Sequence, residues 1–241
     1  MTSAVANRDA ARPDAQGSLV ARAHLSGADS QRVFRVLLDT LARPGRPRPF
    51  PRAVSDHLPA VLLPVLALAD VEVTAAVLDH DGGRWAETVR GATGARLGAV
   101  PRAALVTAVR PVAPHEVMAL ELGRADAPER GARLVLACRT IQAAAGADPP
   151  SLRADRSSGR PAGPHVTVVV RGPGVPTERR VLVTGLDPEV FEALAEVNRG
   201  FPAGVDTWLV ADDGTVTGLP RSSSVSVARD APTPAGGPAV R

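Results

Sequence analysis

Asp206 and Arg221 are the pair of charged residues best placed by local sequence to do chemistry. Between them the chain reads Thr207-Trp-Leu-Val-Ala-Asp-Asp213-Gly214-Thr-Val-Thr-Gly-Leu-Pro220. Asp-Gly between two apolar runs is a strong hairpin signal, with the two residues as the whole turn. That turn sets 212 opposite 215, 209 opposite 218 and 206 opposite 221. Carboxylate and guanidinium then meet in a bidentate contact at the open end of the hairpin. Two uses follow: a structural clamp on the loop, or an arginine held for a phosphate-type oxygen of an anionic ligand. Gly172-Pro173-Gly174 follows an apolar strand, where backbone N–H groups could cradle an anion. No third glycine follows at the dinucleotide spacing and no helix opens directly after it, so a bulge or tight turn is the competing reading. Glu129 is the further carboxylate that a stand-alone enzyme would bring, with Asp206 and Arg221, to a small anionic substrate.

Other chemistries drop out. His115-Glu116 begins like a zinc-protease helix, but Ala119 stands where the second histidine belongs. The histidines at 24, 57, 80, 115 and 165 are dispersed, so no metal site is expected. The single cysteine, Cys138, excludes an internal disulfide and a multi-cysteine metal site, and fits a reducing cytoplasm. All 28 basic residues are arginine. Without lysine there is no P-loop and no side-chain amine for Schiff-base chemistry, so no pyridoxal phosphate cofactor is expected. The arginines alternate with 25 acidic residues, and two Trp and four Phe offer few stacking surfaces, which argues against nucleic acid as a partner. No apolar run approaches a membrane span, and the N-terminus has no secretory h-region.

The elements that must position these residues read as α/β, a three-layer αβα domain with a mixed sheet over residues 28–227. Residues 1–27 read as a disordered lead and 228–241 as a disordered tail. Phe34, Leu37, Leu38 and Leu41 recur at i, i+3, i+4 and i+7, which predicts the buried face of a helix that Pro44 ends. An apolar stretch over 58–69 predicts a buried helix kinked at Pro64. Strands are predicted over 72–78, 103–109, 134–141 and 166–170, with 181–184 pairing beyond the last. Short helices are predicted over 85–92 and 114–122. The polar, Pro/Gly-rich stretch at 143–165 reads as a disordered insertion in a hairpin between the strands at 134–141 and 166–170. Asp187 with Pro188 predicts a side-chain-capped helix start and Gly200 its left-handed stop.

Several segments, in order, resemble the H subunit family of the bacterial carbon–phosphorus lyase system. They are Phe34-Arg35 through Leu38 to Pro44-Gly45, Pro128-Glu129 to Gly131-Ala132, Gly172-Pro173-Gly174-Val175, Phe201-Pro202 through Gly204 to Asp206, and Pro220-Arg221-Ser222-Ser223. Ser222 and Ser223 replace the family's threonines and keep the hydroxyls, so Ser222 joins the candidate anion-binding or clamp residues. Arg133 replaces a usual threonine, and the insertion lengthens a hairpin that is usually short.

The resemblance implies a fold like the large domain of pyridoxal-phosphate-dependent transferases, without the cofactor. It also implies a homodimer incorporated with the G, I and J subunits into a core complex, with ATP and phosphonate at a shared site. That complex forms alpha-D-ribose 1-methylphosphonate 5-triphosphate before a radical subunit breaks the carbon–phosphorus bond. The nucleosidase chemistry is associated with the I subunit and the radical chemistry with J, leaving the H subunit with no assigned chemistry.

Overall fold

Leu105–Ala108 and Arg133–Cys138 bury nearly every side chain, the pattern of strands covered on both faces. They lie at the centre of a seven-stranded mixed sheet in a computed structural model that describes residues 12–51, 58–80, 83–144 and 165–228. In chain order its strands are β1 (Arg48–Pro49), β2 (Thr74–Leu78), β3 (Arg96–Leu97), β4 (Leu105–Ala108), β5 (Arg133–Cys138), β9 (Asp206–Ala211) and β10 (Thr215–Leu219). The spatial order is β1-β10-β9-β5-β4-β2-β3. β3, β2, β4, β5 and β9 pair in parallel, while β10 is antiparallel to both β9 and β1.

A second sheet, not anticipated from the sequence, is antiparallel in the order β11-β7-β8-β6. It consists of β6 (Thr140–Ala143), β7 (His165–Arg171), β8 (Arg179–Thr184) and β11 (Ser224–Val227). The apolar run expected as one strand over 134–141 is therefore two, broken at Arg139 so that β5 and β6 serve different sheets. The expected hairpin across the insertion is also corrected. β6 and β7 do not pair with each other, because each pairs with β8, which lies between them. Of the insertion read as disordered over 143–165, Ala143 closes β6 and His165 opens β7, and residues 145–164 lie outside the described residues.

The helices are α1 (Arg12–Ala23), α2 (Gly27–Ala42), α3 (Leu63–Leu68), α4 (Arg84–Thr93), α5 (Pro114–Met118) and α6 (Pro188–Val197). One face of the large sheet packs on α2, α3 and α4 through Val33, Leu37, Leu63, Val65 and Val89 against Val135, Trp208 and Val216. The other packs on the small sheet, α5 and α6 through Val168, Val181, Val117, Phe191 and Leu194 against Leu134, Leu136 and Leu209. This is an α/β fold with a mixed sheet, whose second covering layer is part sheet and part helix rather than helices alone.

Three local expectations need correction. The lead read as disordered over 1–27 contains α1, which Gln16 ties to Thr88 Oγ1 at 2.9 Å and whose Ala23 is fully buried. Tertiary packing on α4, not periodicity, is what orders it. Residues 1–11 and 229–241 lie outside the described residues. The buried stripe of α2 is Val33, Leu37 and Thr40, while Phe34 and Leu38 are exposed. The reason is close packing: a methyl on Gly218 of β10 would lie 2.7 Å from the Thr40 carbonyl, so the helix backbone sits directly on the strand. Pro64 does not kink a longer helix. It stands in the first turn of α3, just after the tight turn Ala60–Leu62, where a missing N–H costs nothing.

Candidate functional site

The sequence-derived pair does meet, by a different register. The β9–β10 loop has three residues, not two: the Gly214 N–H donates to the Ala211 carbonyl at 3.0 Å, and Gly214 takes φ +80°. This is a tight turn followed by a left-handed glycine, the common three-residue hairpin. Thr207 therefore faces Leu219 and Leu209 faces Thr217, one residue away from the expected pairing. Asp206 and Arg221 lie beyond the last rung, at the open end. Asp206 Oδ1 accepts the Arg221 backbone N–H at 3.0 Å and Oδ2 accepts Nη2 at 2.8 Å. The carboxylate is thus held at both oxygens, but only one bond comes from the guanidinium, so the expected bidentate fork is corrected.

The other arm of Arg221 is also taken. Nη1 donates to the Pro128 carbonyl, in the short turn Pro128–Arg130. The Arg221 side chain is only 11% exposed. Gly131 completes the enclosure: a methyl there would lie 2.6 Å from Nη1 and 2.3 Å from the Gly204 carbonyl oxygen. Glu129 itself is exposed, and it is the main chain next to it that meets Arg221.

The loop between α6 and β9 is fastened to the same place. The Gly204 N–H donates to the Leu122 carbonyl at 2.7 Å. Asn198 caps the loop from within: its Oδ1 accepts the Val205 N–H at 2.7 Å and its Nδ2 donates to the Val205 carbonyl at 3.2 Å. The helix accordingly stops at Asn198, and Gly200 is not the left-handed terminator expected of it. The Phe201-Pro202 peptide in this loop is cis. Asn198 was missed from sequence, although an asparagine closing a helix ahead of a Pro/Gly loop is a recognisable signal.

Gly172 and Gly174 serve tight packing. The Val175 N–H donates to the Gly172 carbonyl at 3.1 Å, with Pro173 and Gly174 (φ +80°) between them. Proline then glycine at the centre of such a turn is the type II pattern. A methyl on Gly174 would lie 2.4 Å from the Ala42 carbonyl oxygen, and one on Gly172 3.0 Å from the Ser222 carbonyl oxygen. Ser222 thus meets this turn through its main chain. The candidates therefore separate into Asp206, Arg221 and the turn bearing Glu129 on one side, and Gly172, Gly174 and Ser222 on the other, joined by the 220–223 turn.

A second polar cluster escaped sequence reading. An open cleft of about 600 Å³ is lined by Arg110, Val112, Pro114, Glu116, Asp187 and Glu189. Glu116 holds Arg110 in a fork, Oε2 to Nη1 at 3.0 Å and Oε1 to Nη2 at 2.7 Å, and also accepts the Ala113 N–H at 2.9 Å. The Arg110 hydrogen bonds hold the Glu116 carboxyl down at about 2, although partial burial opposes this. Asp187 makes no side-chain cap on α6, contrary to expectation, and lines this cleft instead. One guanidinium against three carboxylates leaves the cleft electronegative, which suits no anionic ligand. The signal available in sequence was Glu116 three residues after Ala113, ahead of an apolar turn.

The two clusters lie at opposite ends of the parallel strands. Arg110 follows the C-terminal end of β4, whereas Asp206 begins β9. In open α/β sheets ligands bind beyond the C-terminal ends, so the Asp206–Arg221 pair lies at the end away from the usual ligand crevice. Burial pushes the Cys138 thiol far up, away from any nucleophilic thiolate. Among the described residues no His/Cys/Asp/Glu group is arranged to hold a metal, and no helix is long and apolar enough to cross a membrane.

Comparison with known proteins bears on the same residues. The model of a family described as bacterial phosphonate metabolism protein (PhnH) matches residues 24–226, which include every candidate residue above. A putative C-P lyase subunit protein, HtxG of Stutzerimonas stutzeri, is 30% identical over 201 residues, covering 82% of this chain and 86% of the relative. The chain belongs to the PhnH family of bacterial phosphonate metabolism proteins.

Proposed function

We propose that this chain is a non-catalytic, accessory subunit of a cytoplasmic carbon–phosphorus lyase core complex. It would act as a homodimer beside the G, I and J subunits and support the formation of alpha-D-ribose 1-methylphosphonate 5-triphosphate from ATP and a phosphonate. Family membership and the C-P lyase subunit relative support the setting. The observation that carries the accessory role is the state of Arg221. It sits in the family-like stretch Pro220-Arg221-Ser222-Ser223, yet its backbone N–H and both guanidinium arms are spent on Asp206 and Pro128. An arginine so engaged, and 11% exposed, holds loops together rather than receiving a phosphonate oxygen. The electronegative cleft at Arg110 repels the same ligand. We take the fold to be a cofactor-free counterpart of the large domain of pyridoxal-phosphate-dependent transferases, since a lysine-free chain has no side-chain amine for the aldehyde.

Co-purification decides the matter. The tagged chain, co-expressed with the G, I and J subunits of its own organism, is expected to recover them in a defined complex. Removing this chain should then lower phosphonate-dependent growth. A purified chain that ignores those subunits while hydrolysing a phosphate ester alone would replace this reading with that of an independent enzyme acting on small anions.

A further inference from the structure

Two of the large apolar side chains that α2 carries are turned away from the core. Phe34 is 42% and Leu38 50% exposed, one turn apart. At about 100° per residue they form a ridge beside the half-buried Leu41. Arg35 adjoins the ridge on the exposed side of the helix, with the half-buried Asp39 and the exposed Arg32 further round. Isolated exposed apolar residues need no explanation, but a ridge on one helix with a charged border does.

The border is strongly positive. At its C-terminal end α2 is bound to the loop that follows it and to the β7–β8 connection. Asp39 pairs with both Arg43 and Arg48, Arg179 donates to the Pro44 carbonyl, and Glu178 bridges Arg171 and Arg180. Residues 27–49 carry five arginines against two carboxylates, Asp29 and Asp39. The net charge of this segment equals the +3 of the whole chain, so α2 and the loop after it concentrate the protein's excess of positive charge. A second copy would bring like charges together if it docked there by symmetry. An acidic partner would have its charges met.

Resting on the reading that the chain is a subunit of a complex, we infer that this face docks another protein subunit. The occupant is a surface of that subunit that presents an apolar groove bordered by Asp and Glu. Phe34 and Leu38 enter the groove as anchors, and Arg35 and Arg46 engage the carboxylates of the rim. Apolar anchors set the lifetime of such a contact, and rim arginines set its rate of formation and its salt dependence.

The test is co-expression of the full chain with the G, I and J subunits, recovered through a tag on this chain at low and high salt. Phe34→Glu with Leu38→Glu should lower recovery of the partner roughly tenfold or more while leaving the thermal melt of the chain unchanged. Arg35→Glu with Arg46→Glu should weaken recovery mainly at low salt. Met118→Glu, an equally exposed apolar residue on α5 against the other face of the large sheet, should have no effect. Normal recovery with the Phe34/Leu38 variant overturns the docking face and leaves the subunit assignment standing. Loss of self-association with unchanged partner recovery makes the occupant a second copy, and likewise overturns it. Loss of recovery with Met118→Glu as great as with the double variant also overturns it. If the wild-type chain recovers no subunit, both the assignment and the docking face fall.

Discussion

Arg221 holds the Asp206 carboxylate twice, by its backbone N–H at 3.0 Å and by Nη2 at 2.8 Å, while its Nη1 reaches the Pro128 carbonyl. One side chain thereby ties the end of β10 to the start of β9 and to the 128–130 turn. A lysine offers one point charge and cannot span both acceptors with fixed geometry. Arg221→Ala leaves Asp206 with a single partner in a largely enclosed site, and should cost about 2–4 kcal/mol in urea unfolding. Arg221→Lys should recover less than half of that loss. A stability equal to wild type in Arg221→Ala, combined with a loss of phosphonate-dependent growth, would return Arg221 to the role of ligand-binding residue.

Gly131 is needed by the same clamp for a steric reason, since its backbone φ of −58° is open to any residue. A methyl there would stand 2.3 Å from the Gly204 carbonyl oxygen and 2.9 Å from that of Leu122, both main chain and unable to yield cheaply. Gly131→Ala should therefore destabilise by about 2–4 kcal/mol and shift the melting temperature down by several degrees. It should also be non-additive with Arg221→Ala, because the two changes disrupt one enclosure. Additive losses measured in the double variant would show that they act apart.

The pattern of what could be read beforehand follows from range. The Pro44 stop, α4 and the strands around β4 rest on neighbours within a few residues, and local periodicity reveals them. Asp206 and Arg221 were legible as a pair because one hairpin joins them. Their geometry was not, since Asp212-Asp213-Gly214 suits a two-residue or a three-residue loop equally, and the choice moves every rung by one. The split of the 134–141 run between two sheets depends on β8, more than 40 residues away. The stripe of α2 that is buried depends on Gly218, still further off. Both choices are made by tertiary packing, which an apolar pattern with two competing faces does not encode.

Asn198 makes the loop before β9 part of the core's support. Its amide satisfies both the N–H and the C=O of Val205, a residue with no exposure. Asn198→Ala should leave those groups unpaired at a cost of about 1–3 kcal/mol. Asn198→Asp keeps the acceptor for the N–H but faces the Val205 carbonyl with a second oxygen, so it should fall short of full rescue. Hydrogen exchange at the Val205 amide reads this directly: fast exchange in Asn198→Ala and wild-type protection elsewhere in β9 are expected. Unchanged protection would mean that other contacts hold the loop.

Stability against acid should carry the mark of Glu116. Arg110 hydrogen bonds lower its carboxyl from the usual 4.5 to about 2 in the folded chain. A carboxyl with a depressed folded value contributes stability that is fully present above its unfolded value, and that is lost as pH falls through the folded one. The window here runs from about pH 4.5 down to about 2, and the contribution is about 1–2 kcal/mol once solvent screening around a partly open pair is allowed for. Glu116→Gln keeps the Ala113 bond and removes the titration, so wild type and variant should converge at the acid end of that window and diverge above it. Arg110→Gln should remove the same pH dependence from the other side of the pair. A constant gap between wild type and Glu116→Gln across the window would mean that the pair contributes shape and not charge.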